Sequence, residues 1–204
     1  MSDSQFNAKD VAIIARIFGT LFYTAPEKFE NTQLQLFFEN DVETGVESID
    51  TVLTAFKLAD KTALQAEYER LFTPVSPFVA PPWSSVYLDA STPQFGPSTQ
   101  AYLDFVVHCG MGRQEGTTDP EDHVGLMLMV LSLLMDDEQE QHVKEMLGEY
   151  LLTWYPWFCE EVCRHAEQSA YVTLARETQS LLNSVQAEYK PQVLIKNRFF
   201  TSEK

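Results

Sequence analysis

A chain of 204 residues with 45% hydrophobic content can bury a sizeable core, and its composition is not that of a disordered segment. Thirty acidic residues against fourteen basic ones give a formal net charge of −16, which repels nucleic acid and anionic membrane and favours a basic partner. The opening MSDSQFNAKD lacks a basic n-region and an apolar h-region, no apolar run reaches bilayer length, and three cysteines argue for reduced thiols, so a cytoplasmic protein is expected.

Val11, Ile14, Ile17, Phe18, Leu21 and Phe22 recur at helical spacing, which predicts a first helix over residues 7–24 that stops before Pro26. Residues 27–38 are less regular, and NDVETG is a turn-rich break before a helix over 47–58. Asp60 is placed to cap the next helix, whose stripe is Leu64, Tyr68, Leu71 and Phe72. Residues 73–97 hold six of the ten prolines and little helical periodicity, yet Trp83, Val86, Tyr87 and Leu88 need something to pack on. A long ordered loop of functional type is expected there. Ser98 then predicts a cap for a helix carrying Tyr102, Phe105, Val106 and Cys109, ended by Gly110.

The next element, DPEDHVGLMLMVLSLLM over residues 119–135, organises the rest. Asp119 suits a helix cap, Pro120 the first helical position, and Glu121 and Asp122 the positive end of the helix dipole. Only Gly125 and Ser132 interrupt the apolar run that follows, so the helix lacks a polar face and belongs at the centre of the fold. Asp122 and His123 then mark where its first turn reaches the surface. A stripe of Val143, Met146, Leu147, Tyr150, Leu151 and Trp154 should end near Pro156, followed by a short helix over 157–165. Tyr171, Leu174, Thr178, Leu181, Leu182 and Val185 define a last long helix that Pro191 stops. The tail VLIKNRFF is basic and apolar, and either docks on the acidic body or mimics a ligand. That body is acidic in patches: residues 136–167 carry nine carboxylates and two bases, and residues 39–50 five carboxylates and no base. With no alternation typical of strands, the pattern predicts one all-α domain over residues 1–204, with about eight to ten helices.

Catalytic patterns are weak. CEEVC sets Cys159 and Cys163 one helical turn apart with His165 nearby, but His108, His123 and His142 lie on other elements, short of the four ligands of structural zinc. GMGRQEG lacks the Lys and Ser/Thr of a phosphate loop, and there is no GxSxG elbow. Asp122 with His123 is the one candidate acid–base pair, although helix neighbours point about 100° apart. The residues alone leave open a small metal-dependent or hydrolytic enzyme using this pair, an acidic helical adaptor, or a peptide-binding protein.

The combination of LF at 71–72, PPWSSVYLD at 81–89 and DPEDH at 119–123 opening a hydrophobic helix resembles the TorD/DmsD/NarJ family of redox enzyme maturation chaperones, nearest its DmsD branch. Ser84 and Tyr87 stand where that branch usually has Gly and Trp, and Asp119 where it has Glu. The resemblance implies an all-α, non-enzymatic, cytoplasmic chaperone without a cofactor of its own. Its partner would be the twin-arginine leader, and hence the precursor, of a molybdenum-containing reductase subunit, with Tat translocase components as further partners. By matching position it implies a peptide-binding region of Leu71, Phe72, Pro82, Trp83, Ser85, Asp122 and His123, with Tyr68 and Pro120 at its margin. The chemistry is compatible: paired guanidinium groups followed by an apolar segment call for carboxylates beside an apolar groove.

Overall fold

The computed structural model describes residues 7–40, 43–74, 77–90, 95–112 and 120–202, and its helices are arranged outward from α7 (Val124–Asp136). On α7, Val124, Met127, Leu128, Leu131 and Leu134 are fully buried. Ser132, polar and equally buried, is satisfied from α1 (Ala8–Tyr23): Arg16 donates to its Oγ from Nε at 3.2 Å and from Nη2 at 3.0 Å, and also pairs with Asp136. A buried hydroxyl left without such a partner would be costly. α1 and α7 form the most extensive helix pair of the fold. Their closest approach is at Gly19 and Gly125, where a Cβ on either residue would stand 2.6 Å from the other's carbonyl oxygen.

Two expectations about this helix are corrected. It is not enclosed on every side, because Leu126, Met129 and Val130 are partly exposed and Leu133 is 46% exposed. It also starts at Val124, not at Pro120, with His123 as N-cap: the imidazole Nδ1 accepts from the Gly125 N–H at 3.0 Å. Pro120 to His123 form a turn, closed by the His123 N–H on the Pro120 carbonyl at 3.2 Å. Asp119, expected as the cap, lies outside the described residues.

Between α1 and the next long helices stand a 3-10 helix (Pro26–Asn31) and the short α2 (Gln35–Glu39). α3 (Glu47–Leu58) and α4 (Lys61–Phe72) fall where the periodicity puts them, and Asp60 Oδ1 accepts from the Ala63 N–H at 2.9 Å as predicted. The proline-rich segment contains one short helix, α5 (Ser84–Leu88). α6 (Pro97–His108) is not capped by Ser98: its N-cap is Gly96, and Ser98 donates from its N–H (3.0 Å) and hydroxyl (2.7 Å) to Asp89. A carboxylate from the preceding segment thus performs the capping. Gly110, at φ +79, ends that helix region as expected.

The stripe over residues 143–154 is split between α8 (Glu140–Glu145) and a π-helical turn (Met146–Leu151). α9 (Tyr155–His165) has Pro156 in its first turn, so the proline opens one helix as well as closing another. α10 (Ser169–Tyr189) packs on α9, α3 and α1. Its first turn is held by buried Glu67 of α4, whose Oε1 accepts from the N–H groups of Glu167 (2.6 Å) and Gln168 (3.1 Å) while Arg70 pairs with Oε2 at 2.9 Å. Residues beyond α10 run extended over the body. Among the described residues there is no strand, only an isolated bridge between Trp83 and His123, and no helix is long and apolar enough to cross a membrane. The fold is all-α.

Candidate functional site

That bridge is what brings the two sequence motifs together. The Val124 N–H donates to the Pro82 carbonyl at 2.7 Å and the Ser84 N–H to the Asp122 carbonyl at 3.1 Å, so residues 82–84 lie antiparallel to 122–124. The pairing also explains the late start of α7, because this backbone is engaged in it before the helix begins. Asp122 Oδ2 accepts from the Ser85 N–H (2.7 Å) and the Ser84 hydroxyl (2.9 Å), capping α5 from another part of the chain. Its second oxygen, Oδ1, is buried and makes no hydrogen bond of ordinary geometry. Burial raises the Asp122 pKa above the usual carboxylate value, a rise opposed by the Ser85 N–H and by the hydroxyls of Ser85, Ser84 and Thr99.

His123 stands edge-on to two aromatic rings, Tyr23 at 5.2 Å and Trp83 at 5.8 Å between centroids. Burial pushes its pKa down to about 3, so it is a neutral imidazole at physiological pH. Tyr23 links this cluster to the α4 residues, since its carbonyl accepts from the Tyr68 hydroxyl at 2.9 Å. Tyr68 in turn meets Phe72 edge-on at 5.5 Å, and Phe72 also packs against Phe22, Phe158 and Tyr171. Leu71 is tied to the proline-rich segment, its carbonyl accepting from the Ala80 N–H at 3.2 Å.

The residues expected to bind peptide therefore gather in one region, but not as an open groove. Leu71, Phe72, Pro82, Trp83, Ser85, Pro120, Asp122 and His123 are all buried, and Tyr68 is half-buried. Asp122, expected where a helix end reaches the surface, is 0% exposed. The candidate acid–base pair does not form, in line with the divergent directions expected of helix neighbours: the carboxylate faces Ser84 and Ser85, the imidazole faces Gly125 and the rings. At CEEVC, the Cys159 thiol donates to the Ala175 carbonyl at 3.5 Å and His165 Nε2 meets Ser202 Oγ at 2.7 Å; among the described residues no three His, Cys, Asp or Glu side chains gather as metal ligands. Sequence reasoning missed Tyr23 and Thr99, which only the folded chain brings to the motifs.

Asp122→Ala leaves the buried Ser85 N–H and Ser84 hydroxyl without their acceptor and is expected to cost about 2 kcal/mol. Asp122→Asn keeps an acceptor oxygen there and should lose less than about half of that. Urea denaturation of the two variants is the check, and equal losses would remove the carboxylate's role in holding α5.

Both motifs fall within one family match. The profile described as nitrate reductase delta subunit matches residues 38–160, more than half of the chain. The chain belongs to this NarJ/TorD family. Among curated relatives, the Tat proofreading chaperone DmsD of Salmonella typhi is 29% identical over 195 residues, covering 93% of this chain and 96% of the relative. The chaperone protein TorD of a Psychrobacter species is 27% identical over 175 residues, covering 76% and 79%. A crystal structure of an Archaeoglobus fulgidus protein assigned to redox enzyme maturation has a TM-score of 0.62 at 22% identity, covering 90% of this chain and 99% of that one, a likeness of fold. The NarJ/TorD family is one of chaperones, not of catalysts.

Proposed function

We propose that the chain is a cytoplasmic chaperone that binds the twin-arginine leader of a molybdenum-containing reductase subunit of the DMSO/TMAO reductase type. It assists insertion of the cofactor and holds back export through the Tat pathway until the subunit is mature. The observation that carries this reading is the antiparallel pairing of 82–84 with 122–124, which joins the two motifs of the family resemblance into a single unit on a chain of net charge −16. The relatives named as Tat proofreading and TorD chaperones support it.

In this proposal Tyr68, Leu71, Phe72, Pro82, Trp83, Ser85, Pro120, Asp122 and His123 form the receiving region, and the buried ones act from behind. Asp122 and His123 fix the backbone of residues 82–85, and the outward side of the proline-rich segment meets the peptide. Carboxylates at the surface take the arginines, because guanidinium forks match carboxylates bidentately. A disordered leader gives up entropy on ordering, so affinity is moderate and release is easy, as a chaperone that must hand on its client requires.

The test is fluorescence anisotropy with a labelled twin-arginine leader. Replacing both arginines by lysine should weaken binding about ten-fold or more, and raising ionic strength should weaken the arginine peptide further. Equal affinity for both peptides at all salt concentrations would remove the arginine–carboxylate basis. No binding of any leader would favour the acidic adaptor.

A further inference from the structure

Residues 191–202 leave α10 through Lys190, which takes the left-handed conformation at φ 47, and continue without secondary structure. Two backbone bonds hold them: the Leu194 N–H donates to the Gly148 carbonyl at 2.9 Å, and the Phe199 N–H to the Tyr87 carbonyl at 2.8 Å. The tail passes so close to the π-helical turn that a Cβ on Gly148 would stand 2.4 Å from the Gln192 carbonyl oxygen. Val193 and Phe200 pack partly buried against the core, while Ile195 is fully exposed and Phe199 is 53% exposed.

What anchors its end is one guanidinium and one ring. Arg198 pairs with Glu160 at 2.6 Å and with Glu161, adjacent carboxylates on α9, and lies 6.0 Å over the Trp157 ring. Phe200 packs edge-on against Tyr87 at 5.3 Å and Phe78 at 6.5 Å. The Ser202 hydroxyl donates to Glu161, which Arg164 and His165 of the same helix also face. Phe78 and Tyr87 belong to the proline-rich segment that Asp122 pins from its inner side. The body thus offers two neighbouring carboxylates, an aromatic face for a guanidinium, a backbone acceptor and an aromatic pocket. Its occupant is an extended segment with an arginine, Arg198, two residues before the packed aromatic Phe200.

Building on the function proposed above, we propose that Glu160, Glu161 and Trp157, with Tyr87 and Phe78, form the arginine-binding site for the client leader, and that the tail fills this site as an intramolecular competitor. The charge pattern gives the direction of exchange. Arg164 of α9 already faces both carboxylates and the tail adds one guanidinium to them, whereas a paired-arginine leader brings two, each able to form a charge-assisted pair. The apolar residues after the arginines then replace Phe200. A tail seated for about nine-tenths of the time weakens apparent leader affinity about ten-fold, so the tail sets a threshold that a peptide with one arginine fails to pass.

Two measurements on the full-length chain test this. Hydrogen–deuterium exchange of the unmodified protein, with and without saturating twin-arginine leader, should show the Phe199 amide and the rest of residues 194–202 losing protection when leader binds. In the variant R198Q/F200A, anisotropy should find the leader bound about ten-fold more tightly than by the unmodified chain. Leader that saturates the unmodified chain while tail protection is unchanged, or equal affinity in a folded R198Q/F200A, overturns the competition and leaves the chaperone reading standing. Leader that binds neither protein overturns both. The exchange experiment needs no substitution, so a misfolded variant does not protect the proposal.

Discussion

Gly125→Ala is expected to lower stability by about 3 kcal/mol, and Gly125→Val to leave little folded protein. The added Cβ would stand 2.6 Å from the Gly19 carbonyl oxygen and 2.8 Å from the Tyr23 Cβ, and neither is the far end of a flexible side chain. α1 and α7 must therefore move apart along the most extensive helix contact in the fold. The ordinary cost of such overpacking is about 1–3 kcal/mol, here at its upper end, while the better helix propensity of alanine returns at most about 1 kcal/mol. Gly19→Ala meets the same obstacle from the other side, 2.6 Å from the Gly125 carbonyl oxygen. The double variant should cost less than the two single changes added together, because helices separated once need little further separation. Gly112→Ala, with open space around it, is the neutral control. Thermal denaturation of these variants beside the unmodified chain decides the matter. A Gly125→Ala melting point within a degree or two of the unmodified chain would show that the helix pair yields without loss.

The same helix pair has a consequence for the candidate site. Tyr23 closes α1 and Val124 opens α7, so the crossing at Gly19 and Gly125 fixes where the His123 ring meets the Tyr23 ring. Residues 77–90 are then held between two supports. Asp122 and the 122–124 backbone hold the inner side, and Phe199 and Phe200 of the tail lie on the outer side. In the proposed exchange the outer support is replaced by client peptide while the inner one stays in place.

Helix positions were largely legible because they depend on local periodicity. The stripes of α1, α3, α4 and α10 are regular, and Asp60 sits next in sequence to the helix that it caps. Where the reading went astray, a distant residue performed the local task. Asp89 displaces Ser98 at the start of α6, and Asp122 supplies the cap of α5. At 119–123 the Asp-Pro-Glu-Asp sequence carries every sign of a helix start, yet the backbone of 122–124 pairs with 82–84. No local rule contains that partner. The apolar run of α7 correctly placed it at the centre, but composition does not reveal which face its neighbours leave uncovered.

The candidate site was legible as a set of neighbouring residues and not as a surface. Motif positions identified Trp83, Asp122 and His123 as companions, and the fold brings them together. Their burial could not be foreseen, because a carboxylate in a polar turn reads as exposed unless its donors, here Ser84 and Ser85, are known to close over it. The acidic field over residues 136–167 was visible as charge, and the basic tail as its complement. Only the folded chain selects Glu160 and Glu161 from nine carboxylates as the tail's partners.

Acidification from pH 7 to pH 5 is expected to remove about 2 kcal/mol of stability through His123 alone. In the unfolded chain this side chain titrates near 6.5, whereas in the fold burial pushes its pKa down to about 3. Between those values the unfolded state holds more protons, so stability falls as pH drops below 6.5 and the loss levels off only below about 3, at roughly 5 kcal/mol in all. Asp122 works in the opposite sense: burial raises its pKa, so its folded form takes up a proton above the pH at which the unfolded carboxyl does, favouring the fold on acidification. His123→Asn separates the two. Asparagine is a good N-cap and can accept from the Gly125 N–H in place of Nδ1, but it loses the ring contacts with Tyr23 and Trp83. The variant should be less stable than the unmodified chain by about 2 kcal/mol at pH 7 and about equal to it at pH 5, while the Asp122 contribution cancels between them. Urea denaturation at both pH values measures the difference. A gap of the same size at pH 7 and pH 5 would mean that His123 binds its proton as readily in the fold as in the unfolded chain.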